Sequence, residues 1–184
     1  MKHPIQLARS ELVNISLIEL IKLRLPWLII GLLGGLVASL IVSKYELSLR
    51  ENIALVFFIP VIAYMSDAIG TQTETIFIRA LTDLKFNILT YILREFVVGS
   101  VLGSVVGAAA AIGAFFLSSS VDVSYVVGIS IFLSMSAATI LACLVPIILR
   151  YFKKDPAVAS GPFTTALQDI VSITIYLGVA NSLL

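Results

Sequence analysis

Ligands for soft metal ions are scarce in this chain, which has one cysteine, Cys143, and one histidine, His3, among 184 residues. A single cysteine excludes an internal disulfide framework. So few thiol and imidazole groups also argue against a zinc, copper or iron–sulfur site. A metalloprotease helix needs two histidines and is therefore excluded. Any metal ion that this protein handles must be bound by oxygen.

Charge is equally scarce, since 12% of the residues are charged and 59% are hydrophobic. The sequence has no basic run interleaved with aromatic residues, so we expect no nucleic-acid partner. It also lacks a phosphate-binding loop and a nucleophile elbow, and we expect no enzyme activity. This composition is typical of an integral membrane protein that has the lipid bilayer as its surroundings.

The hydrophobic residues fall into runs long enough to cross a bilayer. We predict an all-α integral membrane protein, in which residues 26–184 form one transmembrane domain. Residues 1–25 precede it as a short amphipathic interfacial helix with Ser10 as its N-cap. The five predicted transmembrane helices begin near residues 26, 53, 88, 125 and 162.

Lysine and arginine are distributed unevenly around these predicted helices. Ten of them lie at the N-terminus and in the second and fourth connections, whereas only Lys44 and Arg50 lie on the other side. The positive-inside rule therefore predicts a multi-pass cell-membrane protein with a cytoplasmic N-terminus and an external C-terminus. In the third predicted helix Gly99, Gly103 and Gly107 recur every four residues, which indicates tight helix packing rather than a binding site.

The last predicted helix carries an acid, Asp169, near its middle. If Pro162 opens this helix, Asp169 shares one stripe about 100° wide with four other polar side chains. Lipid cannot solvate such a stripe, so it must face a partner helix or a water-filled path. A purely structural acid is the alternative, although no Lys or Arg lies deep in another span to pair with it. The other members of the stripe are Thr165, Gln168, Ser172 and Tyr176.

A second polar stripe is predicted on the second transmembrane helix. Asp67, Thr71 and Glu74 lie within about 60° of one another on helical spacing, with Tyr64 beside them. Pro60 can kink this helix and Gly70 can loosen it. The alternative interpretation of Glu74 is an exposed acid at the membrane interface.

Three stretches of the sequence resemble the MgtE family of magnesium transporters. They are PVIAYMSDAIGTQTETIFIRAL, LREFVVGSVLG and DPAVASGPFTTALQDIVSITIYLG, in the second, third and fifth predicted helices. The resemblance implies a homodimer of five-helix subunits with a cation pathway along the dimer axis. It also implies that Asp169 takes the place of the family's pore aspartate, which holds a largely hydrated Mg²⁺ with its mate from the other subunit. The neighbouring polar side chains could then bond to the ion's waters, and residues 70–72 could offer backbone carbonyls.

The chain departs from the family pattern in two ways. Family members commonly carry a cytosolic N-terminal domain and a CBS pair, whereas only about 25 residues precede the first predicted span. We therefore expect that regulation of that kind is absent or is supplied by a separate cytosolic protein. The family's Gly-Gly-Asn element reads Ser66, Asp67 and Ala68 here, so Asp67 could add a second cation site or change the ion preference.

These observations predict a divalent cation channel or transporter that passes Mg²⁺ inward. The alternatives are a proton- or sodium-coupled exchanger and a non-conducting membrane subunit that binds a regulatory partner. The predicted metal-binding residues are Asp169, Thr165, Gln168, Ser172, Asp67, Gly70, Thr71 and Glu74.

Overall fold

The computed structural model describes residues 16–83, 86–154 and 156–184, without the side chains of residues 82, 83, 157 and 158. This part of the chain is helical and contains no strand, which confirms the all-α prediction. Five of its helices are long and apolar enough to cross a membrane. The helices are α1 (Leu17–Lys44), α2 (Glu46–Glu51), α3 (Ala54–Asp83), α4 (Ile88–Ser118), α5 (Val121–Tyr151) and α6 (Pro156–Leu183).

The first long helix starts earlier than the predicted span. Ser16 caps α1, and its hydroxyl and the Glu19 carboxylate form a capping box. The helix then runs through Pro26 without interruption, so no break separates residues 17–25 from the span. The predicted cap at Ser10 lies outside the described residues, and the separate N-terminal segment of residues 1–25 stays a prediction.

Two other boundaries differ from the prediction. Helix α6 begins at Pro156, so the expectation that Pro162 opens it is wrong. Both prolines suit the first turn of a helix, and the sequence pattern cannot choose between them. Helix α3 continues through Gly70, so the expected loosening there is also wrong. The predicted loop between the first two spans contains the short helix α2, in which Arg50 donates to the Glu46 carboxylate.

The long helices pack around α5, which is the most buried of them. It contacts α4, α3 and α6, while α1 packs mainly against α6 at the edge of the bundle. The core between α3, α5 and α6 is built from large apolar side chains, among them Ile62, Ile131 and Leu177. Helix α6 is therefore held on three sides, by α1, α3 and α5.

The glycine ridge of α4 packs against α5, as its spacing predicted. A Cβ atom on Gly107 would lie 2.6 Å from the carbonyl oxygen of Gly128, and one on Gly103 would lie 3.1 Å from that of Phe132. At Gly99 it would lie 2.6 Å from the Thr139 methyl carbon. Only glycine allows these two backbones to approach so closely, so the ridge is confirmed as a packing surface.

Candidate cation site

Helices α3 and α6 meet along a polar contact that we call the α3–α6 seam. It joins the two stripes predicted from the sequence, because residues 67, 70 and 74 share one face of α3 and meet the polar face of α6. Both helices lie among the five membrane-length spans. The seam consists of Asp67, Gly70 and Glu74 on α3 and Ser160, Thr164, Thr165, Gln168 and Asp169 on α6.

The end of the seam nearest the predicted external side contains two carboxylates. The Thr165 hydroxyl donates a hydrogen bond of 2.8 Å to Asp67 Oδ1. The Asp169 carboxyl is half-buried and lies close enough to Asp67 for the two charges to interact. Two carboxylates that share a site repel each other, and a cation between or beside them relieves that repulsion. The structure therefore brings together two predicted site residues, Asp67 and Asp169, within one subunit.

The middle of the seam is a close contact between Gly70 and Gln168. A Cβ atom on Gly70 would lie 1.9 Å from Gln168 Nε2, so the amide fills the space that a larger side chain would occupy. Gln168 is 1% exposed. Neither its amide nitrogen nor its amide oxygen has a hydrogen-bond partner among the described residues. An unpaired amide in a buried site costs free energy on the order of 1–3 kcal/mol, which a bound ion or its water would recover.

The end of the seam nearest the predicted cytoplasmic side holds Glu74. The alternative of an exposed interfacial acid is wrong, because Glu74 is 6% exposed. Its position seven residues from Asp67 turns it toward α6 rather than toward the headgroups. The side chains of Ser160 and Thr164 lie beside its carboxyl group, and Asp67 is near enough for their charges to interact. The Thr164 hydroxyl lies close to the Glu74 carboxyl but has no partner within hydrogen-bond distance among the described residues.

The part of the α6 stripe that follows Asp169 forms hydrogen bonds within the subunit. Ser172 is fully buried, and its hydroxyl donates to the backbone carbonyl of Asp169 at 3.3 Å. The Tyr176 hydroxyl donates to the carbonyl of Leu55 at 2.7 Å, which ties α6 to the start of α3. The predicted stripe thus faces partner helices along its whole length, but only its first half meets the acids of α3.

Two residues of the predicted α3 stripe point away from the seam. Thr71 and Tyr64 are exposed on the surface of the subunit. Because α3 is a continuous helix here, the carbonyls of residues 70–72 are engaged in helical hydrogen bonds, and that of Thr71 also accepts from Thr75. An ion could therefore bind these carbonyls only alongside their helical hydrogen bonds, and the expectation that it does so stays a prediction.

The acids of the seam do not form a compact ligand cluster. Among the described residues, no group of three or more His, Cys, Asp and Glu side chains is close enough to hold one metal ion. This geometry therefore does not suit a fully dehydrated metal ion that is bound only by protein ligands. Pairs of acids with hydroxyl and amide groups suit Mg²⁺, which keeps several waters and takes one or two carboxylates.

The sequence prediction missed a polar contact on the other side of α3. Thr73 donates to the Glu95 carboxylate of α4 at 3.2 Å, next to the buried Glu74. The Tyr91 hydroxyl and the buried Cys143 thiol lie near the same carboxylate. The sequence could have indicated this contact, because Glu95 lies two turns inside a predicted span and an acid in that position needs polar partners.

The five long helices and the buried acidic seam define a multi-pass membrane protein with an intramembrane polar site. The family model of MgtE, described as a divalent cation transporter, matches residues 59–179. This range contains every residue of the seam. The chain belongs to the MgtE family, which confirms the resemblance noted in the sequence.

Curated relatives support the same assignment. The magnesium transporter MgtE of Bacillus subtilis is 38% identical over 162 residues, which cover 86% of this chain and 36% of that protein. The magnesium transporters MgtE of Enterococcus faecalis and Thermus thermophilus are 34% and 32% identical, over 86% and 88% of this chain and 36% of each relative. The chain thus spans about a third of the length of these relatives. They are named as transporters and not as enzymes.

Proposed function

We propose that this chain passes Mg²⁺ across the membrane, inward and down its electrochemical gradient. The family match and the names of the relatives support a divalent cation as the substrate. The transported Mg²⁺ keeps most of its water and is held at Asp169, with Asp67 as the second acid. Thr165 and Gln168 bond to its water molecules.

One observation carries this proposal, namely the pairing of Asp169 with another acid. Each carboxylate within a membrane span costs about 2.5–3.5 kcal/mol on insertion scales. The charged neighbour of Asp169 in the seam is Asp67, so proximity raises that cost instead of offsetting it. A purely structural acid would be expected beside a basic side chain or several donors. A divalent cation bound beside the two carboxylates lowers that cost.

The membrane potential supplies the driving force in this proposal. Moving one charge through 100 mV releases about 2.3 kcal/mol, so a divalent ion gains roughly 4.6 kcal/mol. Inward movement then needs no second ion. A proton- or sodium-coupled exchanger remains the rival, as does a non-conducting subunit that binds a regulatory protein.

The proposal includes a homodimer in which the two Asp169 side chains approach a common axis. Two subunits related by a two-fold axis place identical residues on either side of the pathway. A separate cytosolic protein, binding near the predicted cytoplasmic N-terminus, is the regulatory partner that we expect. Both partners are predictions, and cross-linking of the protein in its native membrane tests the first.

The test is Mg²⁺ influx into proteoliposomes that contain a magnesium-sensitive dye, at a clamped inside-negative potential. We expect influx by the wild type without a counter-gradient, and influx by Asp169→Asn no faster than in protein-free vesicles. Asp122→Asn is the matched control, because Asp122 is an exposed acid in the first turn of α5. Wild-type influx that requires a sodium or proton gradient would favour the exchanger, and no influx under any gradient would favour the non-conducting subunit.

A further inference from the structure

We infer that each subunit holds a second divalent cation at the inner end of the α3–α6 seam, bound by Glu74 with Ser160 and Thr164. This inference rests on the proposed function, because the ion would be the same substrate on the same path. It adds a site that lies within one subunit and does not need the dimer axis. Glu74 lies seven residues from Asp67, about 10 Å along α3, so the two positions are separate.

The first argument is the state of the polar groups around Glu74. Thr164 is 1% exposed, and its hydroxyl has no hydrogen-bond partner among the described residues although it lies close to the Glu74 carboxyl. Buried polar groups in native proteins are nearly always paired, so an unpaired hydroxyl beside an acid indicates a missing partner. One turn further along α6, the Gln168 amide is buried and unpaired as well.

The second argument is the chemistry of these groups. Carboxylate, hydroxyl and amide oxygens are the ligands of hard cations such as Mg²⁺ and Mn²⁺. Glu74 supplies one negative charge, and Asp67 is near enough for its charge to act on the same place. The hydroxyl of Ser160, which is 2% exposed, donates its proton to the Pro156 carbonyl, so its oxygen lone pairs are available to a cation beside Glu74.

A second site has a physical consequence for transport. Thr164 precedes Asp169 by five residues, or about 7.5 Å along α6. Ions bound at both positions repel each other, and such repulsion helps an ion to leave a site that binds it well. An ion that arrives at Asp169 would therefore promote release of the ion at Glu74 toward the predicted cytoplasmic side.

The test is the stoichiometry of Mn²⁺ binding to the purified chain in lipid nanodiscs, measured by electron paramagnetic resonance of the free ion. We expect about three Mn²⁺ per dimer, one at the axis and one within each subunit. Glu74→Gln should leave about one, and Asp169→Asn about two. Glu51→Gln is the matched control at the exposed C-terminal end of α2 and should leave three.

The variants separate failure of this inference from failure of the pore assignment. If Glu74→Gln binds as many ions as the wild type, the second site is refuted, whatever Asp169→Asn does. If Asp169→Asn changes nothing while Glu74→Gln loses one ion per subunit, the inner site stands and the axial site fails. Thr164→Val keeps both acids and nearly the same volume, and should weaken the inner site about tenfold. Unchanged affinity in that variant would remove Thr164 from the site.

Discussion

Two interfaces in this bundle use glycine to bring helices together, and they differ in what they do with polar groups. At the contact between α4 and α5, Gly103 and Gly107 lie against backbone atoms of the partner helix. At the α3–α6 seam, Gly70 lies against the end of a flexible side chain, Gln168. The first contact is fixed by backbone, whereas the second can adjust by a change of rotamer.

The hydrogen bonds of the two interfaces show the same difference. Ser100 and Ser136 meet across the α4–α5 contact with their oxygens 3.1 Å apart. Each hydroxyl also lies 2.8 Å from a carbonyl oxygen of its own helix, so one of them donates across the contact and the other donates to its helix. In the seam, the Thr164 hydroxyl and the Gln168 amide have no partner among the described residues. The seam therefore keeps buried polar groups that are available to bind an ion or its water.

The largest expected effect on stability lies at the α4–α5 contact. Gly107→Ala should lower the free energy of unfolding by about 1–3 kcal/mol, because its Cβ meets the Gly128 carbonyl and neither backbone can move cheaply. Gly113→Ala is the control on the same helix, where a Cβ would meet nothing within 4 Å. Unfolding in mixed micelles measures both. Equal stability of the two variants would show that the contact tolerates more separation than the structure implies.

A somewhat smaller effect is expected at Gly70. Gly70→Ala should cost about 1–2 kcal/mol in the wild-type background, since the Gln168 amide must leave its place. In a Gln168→Ala background the same substitution should cost almost nothing. The coupling energy between the two positions, about 1 kcal/mol by a double-mutant cycle, measures the contact. Additive effects would contradict the packing of Gln168 on Gly70.

The smallest of these effects concerns the contact behind the seam. Thr73→Val removes the donor to Glu95 and should lower the free energy of unfolding by about 0.5–1.5 kcal/mol, as for other hydrogen bonds between membrane helices. Thr75→Val is the control, because the Thr75 hydroxyl is exposed and bonds only to its own helix. If both variants lose the same stability, the bond between α3 and α4 contributes nothing of its own.

The sequence allowed prediction of the features that depend on composition and on helical spacing. Five spans, the ridge at Gly99 and Gly103, and the polar faces of α3 and α6 follow from hydrophobic runs and the 3.6-residue repeat. Helix ends were less predictable, because Pro156 and Pro162 both suit a first turn. The continuity of α3 through Gly70 was missed because an isolated glycine weakens a helix without ending it.

The contact between α3 and α6 could not be predicted from the spacing of residues within each helix. Both stripes were expected to need a polar environment, but nothing in either segment alone shows that Asp67 bonds to Thr165, 98 residues away. For the same reason Glu74 could be taken for an interfacial acid, since its burial depends on the neighbouring α6. Thr71 and Tyr64 share the general direction of the α3 stripe but lie at its outer edge and remain exposed.

The most direct test of the contrast between the two interfaces is water access, measured with one cysteine at a time. Thr165 and Ser100 make a matched pair, because both are half-buried hydroxyl residues that hydrogen-bond across a helix contact. In a Cys143→Ser background, a positively charged methanethiosulfonate reagent should modify Thr165→Cys at least about tenfold faster than Ser100→Cys, and Mg²⁺ should slow the reaction at residue 165 alone. Equal rates, or a rate at residue 165 that Mg²⁺ does not change, would contradict a cation path along the α3–α6 seam.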